Sequence, residues 1–347
     1  MRLRLIGDVV FTTPLIGALR RRFPDARLTY VVEPAAAPVV RRNPHLDDVI
    51  ELPMTSGFAR LAGDAQVARR LAASRVDIAL DLHGGPRSAW LTWGSRAPMR
   101  VGYAITGRSW MYTHVVPRPA GLTARHSVEN QWDLLEPLGI AAPDPARDPV
   151  IMADDPDAVV RVQTLLDETG IGTRPVVVLH VSAGNPFRRW PPEAFEALIE
   201  RLVRRDPERR IVITSGPSEA AAARVIASGA RARLGALAAA VPPMRELDLP
   251  ELRTLVARAA LYIGGDSGPL HIAATTRTPI VALLGPTLPE RSMPWRDPAI
   301  PSAAVDMGAL PCRPCHQRTC EPGDFRCLTA ITPERVAEAA ERLLSAP

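Results

Sequence analysis

No lysine occurs anywhere in the 347 residues; all 42 basic side chains are arginine. Wherever a site would ordinarily take an ammonium, this chain must use a guanidinium fork, with its own reach and geometry. Long apolar runs are missing too: no window approaches the ~18 uncharged residues that cross a bilayer. The amino-terminal MRLRLIGD carries too short an apolar stretch for a secretory signal. No G-x-x-x-x-G-K-[ST] is present, which excludes a P-loop. Cysteine is absent until position 312, and a reducing compartment disfavours disulfides among the four that follow. These absences exclude membrane-spanning, secreted and P-loop classes and predict a cytoplasmic chain.

What is present is ordinary globular composition, 46% hydrophobic and 23% charged, in a length that reads as two domains. The formal net charge of +5 is unevenly placed. Residues 1–150 hold 19 Arg against 14 acidic residues, while 151–347 hold 23 of each. An anionic partner for the first half would suit that excess, although scattered arginines also serve as a solvated surface.

Thirty-six prolines punctuate the chain. RLTYVVEP, DDVIELP and VDIALDLHG read as strands, with TPLIGALRRRFP and DAQVARRLAASR as helices among them. AAPDPARDPVIMADDPDAV breaks the pattern and reads as a linker. Alternation then resumes with RPVVVLHVS, PPEAFEALIERLVRR, RIVITSGP, SEAAAARVIASG, LPELRTLVARA, ALYIGGD and TPIVALLGP. The prediction is α/β, with domains at 1–150 and 151–332 and a carboxyl-terminal helix at 333–347. Parallel sheets place ligands at the carboxyl ends of strands, and two such units predict a ligand in the cleft between them.

Four segments put polar residues at such ends. In LIGDVVFTTP, Asp8 enters a helix; as a local pattern it reads as a first-turn cap, and as a general base only with a cleft around it. In HVSAGNPFRRWPP, Ser182, Ala183 and Gly184 offer backbone amides and Arg188 a charged clamp for phosphate oxygens, with a solvated loop as the rival reading. In ITSGPSEAA, Glu219 is placed either for ribose hydroxyls or as a helix-start charge. In GGDSGPLH, Gly264 and Gly265 let backbone approach closely, Ser267 is positioned to cap a helix begun by Pro269, and His271 lies in its first turn. Protonated histidine is disfavoured there unless an anion is bound, so this segment leans toward function.

RLRLIGDVVFTTPLIGALRRRFPDA, DLHGGPRSA, FRRWPPEAF, GGDSGPLHIAA and TPIVALLGPT together resemble glycosyltransferase family 9, the ADP-heptose:lipopolysaccharide heptosyltransferases, in order from residue 2 to about 340. The resemblance implies a GT-B fold of two Rossmann-like domains: an amino-terminal one for the acceptor, a carboxyl-terminal one for the donor ADP-heptose. It implies an inverting, metal-independent transferase acting on the anionic Kdo and heptose inner core of lipopolysaccharide, peripheral at the inner face of the inner membrane, without nucleic acid. Asp8 takes the place of the family's general base. Ser182, Ala183, Arg188, Glu219, Asp266, Ser267, Gly268 and His271 take donor positions, and Arg20, Arg21, Arg22 and Arg87 are candidates for the acceptor. Two rivals stay open: transfer of another nucleotide-activated sugar, and a catalytically silent nucleotide-sugar-binding protein.

Three features depart from the pattern. Arg188 stands where the family has a phosphate-binding lysine. The first strand is nearly missing before RLRLIGD; a start codon assigned inside the true strand accounts for this, whereas a genuine start weakens the sheet beside Asp8. Cys312, Cys315, Cys320 and Cys327 form C-x2-C-x4-C-x6-C, whose first spacing admits a structural zinc site; reduced structural thiols are the favoured reading. No cofactor is otherwise expected.

Overall fold

The computed structural model describes residues 1–121, 123–181 and 184–345. The chain divides into two compact units, Met1–Ala153 and Asp154–Pro347.

Unit 1 runs α1 (Ile6–Val10), α2 (Thr13–Arg22), β1 (Thr29–Val32), α3 (Ala37–Val40), β2 (Asp48–Glu51), α4 (Gly57–Ala73), β3 (Ile78–Asp81), α5 (Pro86–Gly94), β4 (Met99–Tyr103), β5 (His114–Val116) and α6 (Ser127–Trp132). All strand pairs are parallel, but they form two pieces, β1–β2 and β3–β4–β5. Between the pieces lie Met1–Leu3. The Glu33 amide donates to the Leu3 carbonyl (2.7 Å) and the Leu82 amide to the Met1 carbonyl (3.0 Å). Three residues thus occupy the place of a central strand, and Leu3 is buried among Val31, Ile50, Leu52, Val67, Leu71 and Leu91. With the Met1 amine donating to the Leu80 carbonyl, three main-chain bonds tie these residues to both pieces beside α1.

Unit 2 runs α7 (Pro156–Glu168), β6 (Val176–His180), α8 (Pro192–Arg205), β7 (Arg210–Thr214), α9 (Ala220–Leu234), α10 (Leu249–Ala257), β8 (Leu261–Gly265), α11 (Gly268–Ala273), β9 (Ile280–Leu284), α12 (Pro289–Ser292), β10 (Ser302–Asp306), α13 (Arg326–Thr329) and α14 (Pro333–Leu344). Helix α7 begins inside the stretch read as a linker. Its start signal is Asp155, whose Oδ1 accepts the Asp157 and Ala158 amides ahead of Pro156.

The five strands of unit 2 form one parallel sheet in the order β10-β9-β8-β6-β7. Strands β6, β8 and β9 are buried along their whole length, as near-continuous apolar runs require when helices cover both faces. One helical layer packs Phe195, Leu198, Ile199 and Leu202 of α8 with Val336, Ala339 and Ala340 of α14 into the same core as Val177, Ile211 and Ile263. The chain leaves β6 toward β7 on one side and returns to β8 on the other. The order therefore reverses between β6 and β8, and a crevice opens at their carboxyl ends.

Candidate active site

The reversal in unit 2 collects several of the residues expected at the donor. Ser182 and Ala183, just after β6, lie outside the described residues. Arg188 ends a short 3-10 turn, Pro186–Arg188, started by the Asn185 side chain accepting the Phe187 amide (3.0 Å). Asp266 follows β8 and is only 3% exposed. The Arg188 Nη1 lies 3.0 Å from Asp266 Oδ2 and donates to the Asp266 carbonyl (3.1 Å). On the other side, His271 Nε2 is 3.5 Å from Asp266 Oδ1. Burial pushes the Asp266 carboxyl up, but the hydrogen bond from His271, the Arg188 guanidinium and the Thr287 hydroxyl hold it below its ordinary value. One buried carboxylate thereby sets the direction of two groups able to meet a phosphate.

The glycines before Asp266 have separate reasons. A Cβ at Gly265 would sit 3.3 Å from the Arg188 carbonyl, so glycine permits the arginine loop to come down on the strand end. A Cβ at Gly264 would meet the Tyr262 ring, 2.6 Å from its hydroxyl. Ser267 corrects an expectation: it occupies the N-cap position of α11, yet its hydroxyl donates back to the Gly265 carbonyl (3.3 Å) and caps no helix amide. Gly268 begins that helix. Glu219 closes a 3-10 turn after β7; its buried carboxylate pairs with Arg189 (3.0 Å).

In unit 1, Asp8 lies in the first turn of α1, but its carboxylate bonds no helix amide and pairs instead with the Arg2 guanidinium. The local reading of Asp8 as a cap is thus overturned. Arg2 is itself anchored on the Leu82 carbonyl (2.7 Å). Leu5, just before α1, has φ 69°, a sparsely populated conformation for a branched residue, and such strain gathers at functional sites. The turn after β3 is organised by Asp81, fully buried, which accepts the His83 and Gly84 amides (2.9 Å each), the Ser88 hydroxyl (3.0 Å) and the Tyr112 hydroxyl (2.7 Å). That turn presents His83, whose imidazole is pushed down to about 4 by burial and by the Arg2 charge, against Asp81 and Asp8. It is neutral at physiological pH.

The arginines expected at the acceptor divide. Arg87 is 11% exposed and clamps Asp64 (2.6 Å) and Glu33 (3.2 Å). Arg20 donates to the carbonyls of Pro24 (2.8 Å) and Ala26 (2.7 Å) and pairs with Asp47 (2.6 Å). Their donors hold unit 1 together. Arg21 pairs with the buried Asp148, and exposed Arg22 stacks over Phe23 (5.1 Å).

A separate feature lies at the start of α4. Residues 54–62 are all exposed, with Met54, Phe58 and Leu61 at 68%, 90% and 63%, and no acidic residue among them. Phe58 and Leu61 border a cavity of ≈ 680 Å³ with Arg60, Arg87 and Trp90. The four cysteines of unit 2 form no disulfide. Among the described residues no group of three or more His, Cys, Asp or Glu is arranged to hold a metal, which leaves the zinc reading without a ligand set.

The sequence profile of glycosyltransferase family 9 (heptosyltransferase) matches residues 65–324. The chain belongs to this family. As a family 9 member it is a glycosyltransferase, and it is 29% identical to lipopolysaccharide heptosyltransferase 3 of Escherichia coli over 99% of this chain and 97% of that one. Among solved structures it superposes on a family 9 glycosyltransferase from Veillonella parvula DSM 2008 with a TM-score of 0.85 at 24% identity, covering 99% of this chain and 95% of the other. An Escherichia coli heptosyltransferase solved with ADP gives 0.71 at 19% identity, covering 99% and 98%. The fold is GT-B, α/β with parallel sheets.

Two groups of this glycosyltransferase escaped sequence reasoning. Arg2 and His83 both lie inside the quoted motifs, RLRLIGD and DLHGG, but only the folded chain brings Arg2 onto Asp8 and half-buries His83 beside their charges. Among the described residues no helix is long and apolar enough to cross a membrane.

Proposed function

We propose that the enzyme transfers heptose from ADP-heptose to the inner core of lipopolysaccharide, inverting the anomeric configuration. The observation that carries this reading is the Arg188–Asp266–His271 constellation at the strand-order reversal of a family 9 chain. Arg188 and His271 receive the donor diphosphate with the amides at the start of α11, and Glu219 lies on the nucleoside side. An acceptor hydroxyl, its proton passing to Asp8, attacks the anomeric carbon. The new C–O bond forms as the bond to the β-phosphate oxygen breaks, and the charge that collects on ADP is met by donors already in place. Arg2 fixes the direction of the Asp8 carboxylate.

Unit 1 takes the acceptor. Neutral His83 and exposed Arg22 supply hydrogen-bonding and charged contacts, and the acid-free tip carrying Met54, Phe58 and Leu61 touches the cytoplasmic membrane surface in which the lipid anchor sits. The test is a reaction of purified enzyme with ADP-heptose and defined truncated lipopolysaccharides, with NMR of the product. Heptose joined with inverted configuration supports the reading. Turnover of another nucleotide sugar in preference, or retention of configuration, overturns it.

A further inference from the structure

The cysteine-rich segment between β10 and α14 has no part in the chemistry above, yet it reaches the donor site. Arg313, 2% exposed at its side chain, anchors the segment by pairing with Asp306 (2.5 Å) and donating to the Thr287 carbonyl (2.6 Å). Phe325 packs edge-on against Phe187, one residue from Arg188, with ring centres 5.2 Å apart. Between these anchors lies Gln317, in the left-handed region at φ 55°. Its amide N–H donates to the Cys315 sulfur (3.2 Å), as the Phe325 N–H does to Cys320 (3.4 Å). Half-buried cysteine sulfurs therefore serve as acceptors for the turns that shape the segment.

The Gln317 side chain closes a ring of polar groups. Its Oε1 accepts from Arg188 Nε (2.7 Å) and from Asn185 Nδ2 (2.9 Å), and its Nε2 lies 3.5 Å from the Thr287 hydroxyl. Thr287 also bonds Asp266, and Asp266 pairs with Arg188. Gln317 and Asp266 thereby take Nε and Nη1 of the guanidinium. Among the described residues no bond is directed to Nη2, the corner of the fork that remains for a phosphate oxygen.

We infer that Gln317 is a positioning residue of the donor site, and that the four-cysteine segment serves to hold its amide against Arg188 so that the guanidinium meets the donor diphosphate in one orientation. A flexible arginine loses rotamer freedom on binding an anion, and a neutral acceptor fixes it beforehand without cancelling its charge. The inference rests on the reading of Arg188 as the diphosphate ligand.

The experiment is titration calorimetry with ADP on the full chain for wild type, Gln317→Ala, Arg188→Ala and the double variant, with donor KM and kcat measured alongside. Gln317→Ala is expected to weaken ADP and raise donor KM about five- to tenfold, less than the loss of a direct hydrogen bond to a charged group because Arg188 itself remains. Its kcat at saturating donor should stay within about twofold, and it should add nothing in the Arg188→Ala background. Independent, multiplying effects overturn the inference, as does unchanged ADP affinity in Gln317→Ala when Arg188→Ala is weakened. Unchanged affinity in Arg188→Ala overturns the donor reading itself, so the two failures are distinct. Gln317→Met, of equal length without polar atoms, replaces the alanine variant if that one does not fold. Cys315→Ala should reproduce the Gln317→Ala effect and Cys315→Ser, which retains an acceptor, should reverse most of it; equal behaviour of the two overturns the role of the segment.

Discussion

Replacing Arg188 by alanine perturbs two quantities at once, and the structure sets the size of each. For binding, the change removes the guanidinium proposed for the donor diphosphate. A hydrogen bond to a charged group contributes about 1.5–3 kcal/mol, so ADP should bind about 10- to 150-fold more weakly. For folding, it leaves Asp266 buried without its arginine. A fully buried broken pair costs about 3–5 kcal/mol. Here the arginine side chain is 30% exposed and His271 and Thr287 remain on the carboxylate, which reduces the cost to about 1–2 kcal/mol. For a unit of this size that lowers Tm by about 2–8 °C. Arg188→Lys separates the two effects: it keeps the charge but cannot reach Gln317 and Asp266 together, and should weaken ADP only roughly fivefold, about 1 kcal/mol. Calorimetric titration with ADP and a thermal melt of each variant make the comparison. An Arg188→Ala protein that binds ADP within twofold of wild type refutes the reasoning.

Two other predictions concern stability. Glu251, at the start of α10, accepts from Arg245 (2.9 Å) and Arg161 (2.6 Å), and with the Asp248 amide these lower its carboxyl to about 2 from 4.5. At face value the shift is worth about 3 kcal/mol. Both arginines are nearly half exposed, and water screens this to about 1–2 kcal/mol. A depressed carboxyl stabilises above its unfolded value, so wild type should exceed Glu251→Gln in urea stability near pH 7, with the gap closing as pH falls from 4.5 toward 2. A gap independent of pH contradicts the assignment. Arg87→Met strands Asp64 and Glu33, at 8% and 18% exposure, and should cost about 3–5 kcal/mol and about 6–20 °C of Tm while sparing turnover per folded molecule. Loss of acceptor affinity without loss of stability would return Arg87 to the acceptor site.

The frame of unit 2 was readable because its strands are what a doubly covered sheet demands. VVVLH, RIVIT, LYIGG and IVALL are short apolar runs closed by glycine, proline or polar residues, and all four are strands. Three strands were missed: SAAVD of β10 has one buried residue in five, HVV of β5 spans three, and MRVGY of β4, central in its sheet, has its apolar run broken by Arg100 and Gly102. Helix α7 was hidden by the proline-rich text before it, although its Asp-Pro start was visible. The donor cluster was legible because helices begin where strands end, which placed Arg188, Asp266 and His271 at neighbouring strand ends. Gln317 was not, since no local rule joins residues 129 apart in sequence. Nor could periodicity tell that Arg20 and Arg87 are engaged by acids and carbonyls of unit 1 while Arg22 lies over Phe23; that depends on which acceptors the fold places beside each.

The division of labour between a binding constellation in unit 2 and a proton acceptor in unit 1 is the central claim, and ADP release by Asp8→Asn tests it most directly. With saturating ADP-heptose and a truncated lipopolysaccharide acceptor, the account predicts turnover lower by about 10²–10⁴, with ADP affinity unchanged. Turnover within a few fold of wild type, or a loss that appears only as weaker ADP binding, would contradict it.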